Sequence, residues 1–158
     1  MGGGARRTDA SGARSGTLSH RAKRGSAKAI DAMRPVVYDA GVLIAGDRSE
    51  RRTWAEHRLR LEAGVIPLVP APVLAQASRS PKQVQMRRLL RGCEVVPFDE
   101  AAAHMAGSLL GKTRTRDVVD ASVAVLSVRY GADVVSDDSN DIQRLLFVAR
   151  VKVSILEV

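Results

Sequence analysis

Four aspartates, Asp39, Asp120, Asp138 and Asp141, each stand at or just after a predicted junction between a strand and a helix. Asp39 closes the apolar run Val36-Val37-Tyr38 and opens Ala40-Gly41-Val42-Leu43-Ile44-Ala45. Asp120 lies in Asp117-Val118-Val119-Asp120-Ala121, at the start of a long apolar helix, and Asp138 and Asp141 follow the strand Val134-Val135-Ser136. The carboxyl ends of strands are where an α/β protein gathers its chemistry. Two carboxylates held about 4 Å apart repel by about 4 kcal/mol at an effective dielectric near 20. A divalent cation relieves that repulsion, and a ligand set made only of oxygens suits Mg²⁺ or Mn²⁺.

Each acid has a plainer reading when taken alone. Asp117 and Asp120 are three apart and share one helical face, but Asp117 also suits an N-cap. Asp39 would serve equally as a cap for the helix after it. Ser136-Asp137-Asp138-Ser139-Asn140-Asp141 has the composition of a capped turn. Asp120 stands apart, because it sits inside an apolar run where a charge needs a partner. The combination is the signal: three junctions carry acids, and their strands are expected to be near neighbours. His20, His57 and His104 show no metal-ligand spacing, and Trp54 reads as core or interface.

The elements that must position these acids alternate. Strands are expected at 36–38, 65–69, 93–96, 132–136 and 152–156. Helices are expected at 40–46, at 49–64 with Ser49 as N-cap, at 71–78 opened by Pro72, and at 81–91. Further helices are expected at 100–110 capped by Asp99, at 115–130, and at 140–147. Strands alternating with helices imply a parallel sheet covered on both faces. The fold class is therefore α/β, an α/β/α sandwich with a four- to five-stranded parallel sheet. The 115–130 helix is apolar nearly all round and is expected to be central.

The chain has 158 residues, 45% hydrophobic but only 3% aromatic, which allows one domain with an aliphatic core. A single cysteine, Cys93, excludes an intramolecular disulfide framework and a cysteine zinc site, and suits a reducing cytoplasm. No apolar run is long enough to cross a membrane as a helix. The net charge of +8 is uneven: residues 1–34 hold eight Lys or Arg against two Asp, leaving seventeen basic and fifteen acidic residues elsewhere. Residues 1–33 read as a disordered basic extension without a secretory pattern. An RNA-touching arm and a translation start at Met33 are alternatives for it. Residues 34–158 read as the folded domain.

Three motifs resemble the PIN-domain nucleases, in particular the VapC-like toxins of type II toxin–antitoxin pairs. They are Val37-Tyr38-Asp39-Ala40-Gly41-Val42-Leu43-Ile44-Ala45, Asp117-Val118-Val119-Asp120-Ala121-Ser122-Val123-Ala124, and Ser136-Asp137-Asp138-Ser139-Asn140-Asp141-Ile142. The last is similar to the family's T-x-D-x-x-D pattern with Ser in place of Thr. The resemblance implies that Asp39, Asp120 and Asp138 are catalytic acids that bind Mg²⁺ or Mn²⁺. Asp117 and Asp141 would be additional metal-site acids, and Ser136 a supporting hydroxyl. One departure stands out: Val73-Leu74-Ala75-Gln76 puts Gln76 where the family usually has Glu. The resemblance further implies endonucleolytic cleavage of single-stranded RNA, a homodimer, and a small cognate antitoxin whose docking surfaces would be helices 49–64 and 71–91. Arg79, Lys82, Arg114 and Arg116 would hold the RNA backbone, their alternative being surface solubility. Two other readings compete. One is a catalytically weak or inactive PIN-like module binding RNA or a partner, motivated by Gln76. The other is a receiver-type phosphoryl-transfer domain, which lacks the expected lysine near the acids.

Overall fold

The structure, a computed structural model, describes residues 34–158. The expectation of a disordered extension over residues 1–33 lies outside the described residues. Five short strands form one wholly parallel sheet in the order β3-β2-β1-β4-β5. They are β1 (Val36–Tyr38), β2 (Leu68–Pro70), β3 (Glu94–Val96), β4 (Asp133–Ser136) and β5 (Ile155–Glu157). The central registers pair Val37 with Leu68 on one side and Tyr38 with Val135 on the other. Val37, Val69 and Val134 are fully buried, as strands covered on both faces require.

Seven helices connect the strands among the described residues: α1 (Ala40–Asp47), α2 (Arg51–Glu62), α3 (Ala71–Ala77), α4 (Val84–Leu90), α5 (Glu100–Thr113), α6 (Val118–Tyr130) and α7 (Asn140–Val148). Helix α6 buries seven consecutive residues, Ala121 to Ser127, because it packs between α5 and α7 and also touches β1, β2 and β4. Its start is fixed by Asp117, whose carboxylate accepts from the Val119 and Asp120 N–H groups at 2.8 and 3.1 Å. It stops at Gly131, which takes the left-handed conformation (φ 58°) that a side chain would penalise. Asp99 caps α5 by accepting from the Ala102 N–H at 2.7 Å.

Helix α2 is charge-laced and buries only Thr53 and His57. Polar contacts tie it down instead. The Tyr38 hydroxyl lies 3.1 Å from His57 Nδ1, and the Trp54 indole N–H donates to the Gly46 carbonyl at 2.9 Å. Arg60 lies over the Tyr38 ring, a cation–π contact partly shielded from water.

Several boundaries differ from the sequence expectation. Ser49 is not an N-cap: it has φ 60°, and α2 starts at Arg51 behind Glu50. The 81–91 helix contracts to 84–90, because the Gln83 side chain accepts from the Arg79 and Ser80 N–H groups and closes a turn there. The second strand shifts from 65–69 to 68–70, since the Val65 N–H still bonds Arg60 O at the end of α2. Helix α5 runs past Leu110 to Thr113, whose hydroxyl donates to the Leu109 carbonyl.

Leu43 is fully buried in α1, whereas Leu59 on α2 is exposed. Leu43→Ala is expected to lower the unfolding free energy by about 2–5 kcal/mol, and Leu59→Ala to stay within about 0.5 kcal/mol of the parent. Urea denaturation reads both. Equal losses in the two variants would contradict the assigned core.

Candidate active site

The carboxyl ends of β1 and β4 lie side by side, and the acids gather around them. Asp39 follows β1, and its N–H extends the sheet by bonding Val135 O at 3.1 Å. Its side chain is buried. One carboxylate oxygen accepts from the Ala40 N–H at 2.6 Å, and the other accepts from the Ser136 hydroxyl at 2.7 Å. Ser136 is fully buried at the end of β4, and its oxygen also accepts from the Asp138 N–H at 3.1 Å. The Asp138 carbonyl lies 2.9 Å from the same hydroxyl. A serine has one proton to give, and the charged carboxylate is the stronger acceptor. Ser136 therefore fixes two things at once, the Asp39 rotamer and the turn that carries Asp138.

An open cleft of about 350 Å³ lies over these groups, lined by Asp39, Gln76, Asp117, Asp120, Asp138 and Asp141 among others. Six residues singled out from the sequence thus share one cavity. Asp120 projects from the first turn of α6 and is half-buried. Burial pushes its carboxyl up to about 7, with Asp117, Asp39, Asp141 and Asp138 adding repulsion in that order. Burial also raises Asp39, against the lowering effect of the Ser136 and Ala40 hydrogen bonds. Asp141 makes a solvent-exposed contact with Arg144 at 3.5 Å, a pairing of little energetic value.

The acids line the cleft without closing on a point. Among the described residues, no three His, Cys, Asp or Glu side chains stand close enough together to hold an ion as they are. Asp117 is held by its capping bonds to the Val119 and Asp120 N–H groups, and carboxylates drawn together without a cation would repel. The donor chemistry nevertheless fits a hard divalent cation, since among the described residues the titratable groups lining the cleft are all carboxylates.

Asp137 is a cleft residue that the sequence reading did not single out. It packs so closely over Gly41 that a Cβ built there would collide with its carboxylate. The adjacency of Asp137 to Asp138 was visible in the sequence, but its contact with α1 was not. The cations stand elsewhere. Arg79, Lys82, Arg114 and Arg116 are exposed and do not line the cleft. Arg79 folds back, its guanidinium donating to the Ala75 and Ser78 carbonyls at 3.0 and 3.1 Å.

A family model described as PIN domain matches residues 36–147. Among curated proteins, none matches the chain in sequence. Solved structures share the fold at low identity. VapBC2 from Rickettsia felis, bound to a DNA fragment from its promoter, aligns with TM-score 0.57 at 14% identity over 78% of this chain and 98% of that one. FitAB bound to the IR36 DNA fragment gives 0.52 at 15% identity, covering 77% and 94%. FitAcB from Neisseria gonorrhoeae gives 0.51 at 15% identity, covering 77% and 96%.

The raised carboxyls carry a stability consequence. A folded-state pKa above the unfolded one means that the folded chain binds the proton more tightly. The contribution is fully present below the unfolded value of 3.8 and is lost as pH rises through about 7. The metal-free protein is therefore expected to lose melting temperature between pH 5 and pH 8 more steeply than Asp120→Asn. Mg²⁺ or Mn²⁺ is expected to stabilise the parent more at pH 8 than at pH 5. Thermal melts with and without chelator decide this, and parallel pH slopes for parent and variant would sink it.

Proposed function

The chain belongs to the PIN domain family, and from that premise we propose that it is a metal-dependent endoribonuclease acting as the toxin of a toxin–antitoxin pair. The single observation that supports the reading most is the cleft lined by Asp39, Asp120 and Asp138 over the buried Ser136–Asp39 hydrogen bond. The fold shared with VapBC2 and FitAB supports the toxin assignment.

In this reading Asp39, Asp120 and Asp138 hold Mg²⁺ or Mn²⁺, with Asp117 and Asp141 contributing negative charge at the rim. When bound, the cation makes a water nucleophilic at neutral pH and offsets charge building on the phosphate. The protein's share is positioning. Ser136 keeps the Asp39 carboxylate turned toward the cleft while leaving each of its oxygens a further lone pair. Gln76 offers an exposed amide in the same cleft and can orient water or donate to a phosphate oxygen. It adds no negative charge, so the cation is held by fewer anions than a glutamate there would provide. Single-stranded RNA is the proposed substrate, with Lys82, Arg114 and Arg116 supplying salt-sensitive backbone contacts outside the cleft. Arg79 would join them only by leaving its helix-end carbonyls.

A small antitoxin and a second copy of the chain complete the proposal, which implies a cytoplasmic setting. A groove of about 540 Å³ between α2 and α4 includes Arg51, Trp54, Arg58, Leu61 and Arg88 in its lining. Arg88 lies over the Trp54 ring. An antitoxin segment with apolar and acidic side chains would suit this surface. The second reading, a catalytically weak module that binds RNA or a partner, is favoured by Gln76 alone.

Asp39→Asn is expected to reduce cleavage of single-stranded RNA about a hundredfold or more, because several kcal/mol of charge stabilisation is lost. Chelator should have the same effect, and added Mg²⁺ or Mn²⁺ should reverse it in the parent only. Gln76→Glu is expected to tighten Mn²⁺ binding by calorimetry and to raise activity at low metal. Purified protein that cleaves no RNA in either metal would favour the inactive module, and cleavage untouched by Asp39→Asn would exclude the proposed site.

A further inference from the structure

The chain has five aromatic residues, one Trp, two Tyr and two Phe. Phe147, near the end of α7, is 85% exposed. Its neighbours Leu145 and Leu146 are buried, so α7 already has its core face and Phe147 lies off it. Behind Phe147 the chain turns sharply. Arg150 takes φ 55°, and its N–H bonds back to the Phe147 carbonyl at 3.1 Å. The ring borders a cavity of about 1020 Å³ between the end of α5 and the turn after α7, where Leu109, Lys112, Arg150 and Lys152 also contribute. Among the described residues, no acidic side chain lines it. Among the described residues, Lys112, Arg150 and Lys152 make no ion pair.

We propose that this cavity is a second binding site for single-stranded RNA, in which a base stacks on Phe147 and phosphates meet Lys112, Arg150 and Lys152. Three cations around an exposed ring complement a chain of phosphates with unstacked bases. A second copy of this chain suits the surface poorly, because an isologous contact would set the same cations against one another. The site also connects to the acidic cleft. Lys112 borders the cavity, Asp117 borders the cleft, and Arg114 and Arg116 stand exposed between them. Five residues at full extension span about 17 Å, so a strand a few nucleotides long can reach both. The assignment of RNA as the polymer rests on the proposed nuclease function. The cavity anchors the strand away from the acids.

The test is equilibrium binding of a fluorescein-labelled single-stranded RNA to the full chain in EDTA, where metal-dependent cleavage is silent and binding does not depend on the acids. Phe147→Ala is expected to weaken binding about tenfold, and Phe147→Trp to restore it. Lys112→Glu and Lys152→Glu are each expected to weaken binding and to flatten its salt dependence by about 0.7 or more in the logarithmic slope. Unchanged affinity in Phe147→Ala and Lys152→Glu overturns the proposal, as does a parent protein that binds no RNA in EDTA. Poly-glutamate displacing the RNA in a Phe147-dependent way would assign the surface to an acidic protein partner instead. A change of oligomeric state in Phe147→Ala by sedimentation would assign it to a second copy. Absence of cleavage in Mg²⁺ with these binding effects intact would count against the nuclease reading and leave the anchor standing.

Discussion

A buried carboxylate at the end of a central strand is the constraint around which the rest is arranged. Asp39 sits where β1 gives way to α1, beneath a cleft and away from bulk water. An ion in such a place is tolerated only when its oxygens are engaged. The fold engages them from two directions: the first N–H of α1, on the next residue, and the Ser136 hydroxyl, 97 residues away. The second bond requires β1 and β4 to be adjacent, parallel and in register, which they are, with Tyr38 opposite Val135. The same hydroxyl then holds the turn that presents Asp138. One small polar side chain therefore couples sheet topology to the geometry of the cleft.

The periodicity of the sequence carries most of this architecture. Helix α6 is legible because its body is apolar on every side, and only a helix enclosed by others tolerates that. The strand-to-helix junctions are legible because each aspartate ends an apolar run. Element ends are less so. Ser49 looks like a cap by type, yet its backbone is left-handed and the helix begins beyond it. Pro81 looks like a helix opener, but the Gln83 side chain closes a turn first. Both outcomes depend on side chain–backbone bonds that compete with helix formation over a few residues.

The candidate site divides in the same way. Asp39, Asp120 and Asp138 lie at junctions that pattern alone can mark. Asp137 does not announce itself, because its closeness to Gly41 joins two loops distant in sequence. Arg79 has the right type and place for a phosphate contact, but the unpaired carbonyls at the end of α3 capture it. The basic cavity beside Phe147 is assembled from two stretches of chain far apart in sequence, the end of α5 and the run from Phe147 to Lys152, and neither marks it alone. The surface thus separates into an acidic cleft and a cationic cavity, joined by the loop of Arg114 and Arg116.

If the proposed function holds, the cleft beside Asp39 is complete only with a divalent cation bound. Crystals of the protein soaked in Mn²⁺ at neutral pH, with anomalous data collected near the manganese edge, test it directly. An anomalous peak is expected among Asp39, Asp120 and Asp138, with their carboxylates drawn closer together. No peak in the cleft at saturating Mn²⁺, or a peak only at other sites, would contradict it.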